Sequence, residues 1–183
     1  GGVFSTITLL KNSCGMHILQ NVKRELEFNA HRSYAWDEIV ALSMPSLSEE
    51  SLPIFDVNDE SLYNPASMIQ AIGTLTSLED IGAIIASAYK SLAMSYKTAV
   101  EDLQEITGQC YDTIHIIGGG SRNDHLNQMT ADFTGKRVVS GPNEATSLGV
   151  IALQVMSDHP ELTLEDIRRI VRNSVELGEY LPQ

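Results

Sequence analysis

Ile114 to Gln128 reads IHIIGGGSRNDHLNQ, a stretch whose residue types and spacing suit a phosphorylated ligand. A strand that ends in Gly118-Gly119-Gly120 and passes into a helix opened by Ser121 or Asn123 exposes backbone N–H groups. They lie at the positive end of the helix dipole. Three residues without a Cβ also let a ligand approach the main chain. The string matches neither common phosphate motif. A P-loop needs Gly-Lys-Ser/Thr, whereas Gly120 is followed here by Ser121-Arg122; the dinucleotide fingerprint would use Gly118 and Gly120 and then meets Asn123. The competing reading is a tight packing turn between strand and helix, and spacing alone leaves both open.

Two further stretches carry polar groups next to turns. In SGPNEATSLGV, Gly141-Pro142 sets a turn, Asn143 is expected to cap a helix, and Glu144 falls in its first turn, where a carboxylate suits the dipole. Gly149 inside that helix is expected to mark close backbone packing, with the triple-glycine turn as its neighbour. In LLKNSCGMHILQ, residue types alone make Asn12 a helix cap and Gln20 a solvated helix residue.

Composition narrows what these residues can serve. The 183 residues hold 12 Lys and Arg against 24 Asp and Glu, a formal charge of −12. Such a surface repels nucleic acid and anionic lipid, so phosphate must be held by local donors or metal rather than by bulk charge. Cys14 and Cys110 stand far apart, and no dense His/Cys ligand motif occurs, which argues against a structural zinc site. The apolar run IGAIIASA is too short to cross a bilayer, and cytoplasmic residence is the expectation. The chain opens Gly1-Gly2-Val3, without Met, and reads as a piece of a longer polypeptide.

The elements that must position these residues follow from period. Val3 to Leu10 is β-branched and alternating, a strand; a helix then runs to about Phe28, with Asn12 or Ser13 as its cap. A short helix from Ser33 is expected to stop at Pro45, and Ser46 to Ser67 reads as an ordered loop holding one strand-like run, PIFDV. Pro65 to Thr76 gives a short helix, and Asp80 to Thr107 a long one closed by Gly108. Strand, glycine turn and helix then alternate twice, and a last helix begins at the cap Thr163. The rhythm implies an α/β fold with some parallel pairing.

Taken together, LLKN…LQ (Leu9 to Gln20), SLAMSYK (Ser91 to Lys97), the string from Ile114 to Asp132 and VVSGPNEATSLG (Val138 to Gly149) resemble the C-terminal part of FGGY-family carbohydrate kinases. The order and spacing of these motifs span most of the chain. Met16-His17 departs from the Leu-Trp usual in that family, and Val150 replaces a frequent Asn; both bear on the sugar more than on the nucleotide.

The resemblance implies the following. Residues 1–183 form one C-terminal kinase domain of ribonuclease-H-like, actin-like ATPase fold, α/β with many helices and a partly truncated sheet. The whole enzyme transfers the γ-phosphate of ATP to the 1-hydroxyl of L-rhamnulose, with Mg²⁺ held by ATP and the other domain. Gly119 lines the adenosine pocket, Gln20 belongs to the ATP site, and Gly118, Gly120 and Asn123 neighbour that pocket. Asn12 matches the sugar-binding Asn. The family's phosphate loops and catalytic Asp have no counterpart within these residues, so no catalytic residue is expected here, and the isolated chain is expected to be inactive. Another FGGY sugar, L-fuculose or xylulose, and a non-catalytic actin-like nucleotide-binding module are the alternatives. A strand at Val3 to Leu10 with one unpaired edge would also favour a homodimer of the isolated chain.

Overall fold

The computed structural model describes residues 8–49 and 51–183. The expected strand from Val3 to Leu10, with its proposed pairing edge, lies mostly outside them, and Thr8 to Leu10 is irregular. The chain divides into two compact units, Gly1–Leu103 and Gln104–Gln183.

The first unit is helical. Helices α1 (His17–Ala30), α2 (Trp36–Leu47), α3 (Met68–Thr76) and α4 (Ile81–Thr107) are its regular elements among the described residues, apart from a 3₁₀ turn at Glu60–Leu62. Apolar residues at helical spacing turn inward: Ile18, Leu19 and Val22 of α1, Ile39 of α2, Ile72 of α3, and Ile84, Ile85, Tyr89 and Leu92 of α4 are all essentially inaccessible. Every residue from Gly82 to Tyr89 is buried, so this stretch of α4 is enclosed on all sides. The helix is about 40 Å long at 1.5 Å per residue. It starts at Asp80, whose carboxylate accepts from the Ala83 amide at 2.9 Å, and ends at Gly108 in the left-handed region (φ 65°), as the sequence predicts.

Three local expectations change. Helix α1 begins at His17, and its N-cap position, Met16, has no side-chain cap, so neither Asn12 nor Ser13 caps it. Pro45 lies inside α2 rather than stopping it; near the C-terminal end its missing N–H forfeits one bond and not a ladder. The run PIFDV is not a strand. Its backbone is held by α4 side chains instead: the Ser87 hydroxyl donates to the Pro53 carbonyl (2.6 Å), and the Phe55 amide donates to Ser91 Oγ (3.0 Å). Leu52, Phe55 and Val57 are buried along this loop.

The second unit carries the sheet. Strands β1 (Thr113–Ile116), β2 (Arg137–Ser140) and β3 (Gly178–Tyr180) stand in the order β1-β2-β3. β1 and β2 are parallel, with Ile114 opposite Val138, and β2 and β3 are antiparallel, with Val139 opposite Glu179. The parallel pair is connected by a 3₁₀ turn at Gly118–Arg122 and helix α5 (Asp124–Thr134). After β2 come α6 (Ala145–Asp158) and α7 (Leu164–Ser174). α7 opens on the predicted Thr163, whose side chain accepts from the Asp166 amide while Asp166 reaches back to the Thr163 amide. Among the described residues no single helix is long and apolar enough to cross a membrane.

Candidate functional site

The triple glycine leaves the carboxyl end of β1, which is where parallel α/β units bind ligands. Gly118 has φ 75°, a left-handed backbone that favours glycine. Gly119 is exposed, and a Cβ built on it would meet no atom within 4 Å. Packing among the described residues therefore does not account for Gly119. The face it presents is open to a ligand.

A second turn supports the first. Gly141 and Pro142 follow β2; the Gly141 amide donates to the Ile116 carbonyl (2.8 Å), and the Gly118 amide donates to the Pro142 carbonyl (3.2 Å). The Ser121 hydroxyl lies 2.5 Å from Asn143 Oδ1 and 2.6 Å from the Gly118 carbonyl. Buried Asn127 donates from Nδ2 to the Ser121 carbonyl at 3.0 Å. Asn143 thus serves as a brace between the two turns and not as the expected helix cap; α6 begins at Ala145, one residue beyond Glu144. Gly149 is exposed with nothing within 4 Å of an added Cβ, which corrects the expectation that it packs closely against the glycine turn.

Asn123 is 6% exposed, and its side-chain oxygen accepts from the Leu126 amide at 2.9 Å, capping α5. Gly118, Gly119, Gly120 and Asn123 are therefore gathered at one end of the second unit, around the first turn of a helix. Backbone donors and a positive dipole end are what an anionic group requires.

Asn12 and Gln20 belong to the first unit. Asn12 is exposed in the irregular segment before α1, and Gln20 is exposed on α1 between buried Leu19 and half-buried Asn21. The segment carrying Asn12 is anchored on both sides. Lys11 pairs with Asp102, Ser13 and Ser95 share a hydroxyl hydrogen bond (2.7 Å), and the Cys14 amide donates to Asn58 Oδ1 (2.9 Å). A cavity of about 360 Å³ beside it is lined by Lys11, Asp56, Asn58, Ser95 and Thr98, among others.

His125 is half-buried, and burial pushes its imidazole below the ordinary 6.5, with Asp132 opposing the shift. Among the described residues no cluster of three or more His, Cys, Asp or Glu side chains could hold a metal ion. The residues that sequence reasoning missed are Ser121 as a brace, Asn127, and the C-terminal residues that reach α5. The available signal was position: Ser121 and Asn143 are the polar residues that follow Gly120 and Gly141-Pro142.

The sequence profile described as "FGGY family of carbohydrate kinases, C-terminal domain" matches residues 1–157. A rhamnulokinase of Bacteroides thetaiotaomicron is 34% identical over 195 residues and covers 100% of this chain. Rhamnulokinases of Bacillus subtilis and Ligilactobacillus salivarius are each 33% identical over 188 residues, again covering 100% of it. The chain spans 38% of the length of each of these three relatives.

Proposed function

This chain belongs to the FGGY family of carbohydrate kinases, and we propose on that premise that it is the nucleotide-side domain of an ATP-dependent L-rhamnulose kinase. The family brings the ribonuclease-H-like, actin-like ATPase fold, realised here as a helix-rich α/β chain with a three-stranded sheet. The observation that carries the sugar is the 33–34% identity to rhamnulokinases along the whole chain. The observation that supports the nucleotide is the open face of Gly119 above the capped start of α5.

In this reading, all 183 residues act as one C-terminal kinase domain of a cytoplasmic enzyme. Gly119 lies against the adenosine, Gly118, Gly120 and Asn123 shape the same pocket, Gln20 contributes to the ATP site, and Asn12 touches the sugar. Mg²⁺, held by ATP and the preceding domain, supplies charge neutralisation on the transferring phosphoryl group. The residues of this chain bind and orient the nucleotide, and positioning supplies much of the acceleration in phosphoryl transfer. Proton removal from the 1-hydroxyl falls to a carboxylate outside these residues.

The test uses the whole kinase, assayed for ADP release with ATP and L-rhamnulose, L-fuculose or D-xylulose. The expected result is a kcat/KM for L-rhamnulose at least tenfold above the other two. Preference for L-fuculose or D-xylulose overturns the sugar assignment. No sugar-dependent ADP release with any of the three, despite ADP binding, favours a non-catalytic nucleotide-binding module.

A further inference from the structure

The family profile stops at residue 157, yet the residues beyond it include a segment laid along the helix that begins at the glycine turn. Asp124, Gln128 and Asp132 are spaced by four on α5 and so share one face. Each is engaged by the C-terminal segment: the Tyr180 hydroxyl donates to Asp124 Oδ1 (2.6 Å), Gln128 Nε2 donates to the Leu181 carbonyl (2.8 Å), and the Gln183 amide donates to Asp132 Oδ1 (3.0 Å). The same segment covers the end of β2. A Cβ on Gly141 would lie 3.2 Å from the Glu176 carbonyl oxygen, and one on Gly178 would lie 2.5 Å from Ser140 Oγ and 2.9 Å from the Tyr180 hydroxyl. Asp124 is the first residue of α5, directly after the capping Asn123.

We propose that Gly178–Gln183 is a strap that sets the N-terminus of α5 against the nucleotide, with Tyr180 as a positioning residue acting through Asp124. The proposal rests on the nucleotide reading above. Its physical basis is that backbone donors hold a ligand well only when the helix end carrying them is fixed beforehand. The segment lies outside the matched family profile and inside the alignments to the rhamnulokinases.

The experiment measures steady-state kinetics and ADP titration calorimetry on the whole kinase and on Tyr180→Phe, Asp124→Ala, the double variant and Asp124→Asn. Loss of one hydrogen bond is expected to raise KM for ATP and Kd for ADP about three- to tenfold in Tyr180→Phe and Asp124→Ala, with KM for the sugar changed less than twofold. The double variant is expected to be no worse than the weaker-binding single, because the two remove one contact. Asp124→Asn, which keeps an acceptor, is expected to restore most of the affinity. Unchanged nucleotide parameters in Tyr180→Phe, with or without a lower melting temperature, overturn the strap, as do additive single effects. Wild-type kinase that binds no ADP overturns the nucleotide reading and the strap with it. Wild type that binds ADP beside variants that bind it equally well overturns the strap alone.

Discussion

The Ser121 hydroxyl lies 2.5 Å from Asn143 Oδ1, joining the turn after β1 to the turn after β2. The two residues are 22 positions apart in sequence, and Ser121 is buried. Ser121→Ala leaves an acceptor without its donor at the base of the glycine turn. The expected cost is about 0.5–1.5 kcal/mol of stability, read as a lower midpoint in urea unfolding, because Asn143 is exposed and water can replace the lost donor. Asn143→Ala is expected to cost no more than Ser121→Ala, and the double variant less than the sum. Additive losses would mean that the two turns are held independently.

Gly119→Val separates packing from binding. Among the described residues, none beyond its sequence neighbours lies within 4 Å of an added Cβ there, so the 183-residue chain is expected to keep its melting temperature within about one degree. On the proposed placement of Gly119 against the adenosine, its valine variant in the whole kinase is expected to weaken ADP binding about tenfold or more, an overpacking cost of roughly 1–3 kcal/mol. Calorimetry with ADP and with L-rhamnulose distinguishes the two ligands. Equal ADP affinity in variant and wild type would remove Gly119 from the pocket.

Gly82 and Gly149 are both helical glycines and are expected to respond to alanine with opposite signs. At Gly82 a Cβ would run into the Leu42 carbonyl oxygen, a backbone atom that cannot swing aside. Overpacking of this kind costs roughly 1–3 kcal/mol and exceeds the helix-propensity gain of about 1 kcal/mol. At Gly149 nothing stands within 4 Å, so only the gain of about 1 kcal/mol remains. Thermal unfolding of Gly82→Ala and Gly149→Ala is therefore expected to show a lower and a higher midpoint, respectively. A stabilised Gly82→Ala would mean that α2 and α4 are not in the close contact that the Leu42 carbonyl marks.

These glycines also show which parts of the structure the sequence made legible. The long α4 was readable because its apolar residues keep one period over many turns and because Asp80 and Gly108 punctuate it. The strand–glycine–helix order around Gly118 was equally plain, since local chemistry dictates it. Whether Gly149 packs closely, and whether Asn143 caps or braces, depend on what folding brings near them, and there the sequence misled. PIFDV has strand composition, yet Ser87 and Ser91 of α4 supply the bonds a neighbouring strand would have given. β3 is three residues long and pairs with β2 across two intervening helices, α6 and α7, which leaves no periodic trace. Of the site, the glycine turn was visible in sequence, whereas its braces were not.

His125 lies on the first turn of α5, the helix that follows the glycine turn, and makes stability depend on pH. Burial holds its imidazole below the ordinary 6.5, because the charged form is less well solvated inside the fold, and Asp132 offsets only part of this. The unfolded chain therefore binds a proton more readily than the folded one between 6.5 and the lowered value. By linkage, the contribution of His125 to stability is complete above pH 6.5 and is lost as pH falls through the folded value. The carboxylates of half-buried Glu27, Glu38, Asp59 and Asp166 and of exposed Glu179 are held below their ordinary values by hydrogen bonds, so their contributions are lost at lower pH, below about 4.5. Urea midpoints of the 183-residue chain are accordingly expected to decline in two stages from pH 7.5 to 3.5. His125→Gln, which cannot gain the proton, is expected to flatten the upper stage and leave the lower one in place. An upper stage that persists in His125→Gln would assign it to another group.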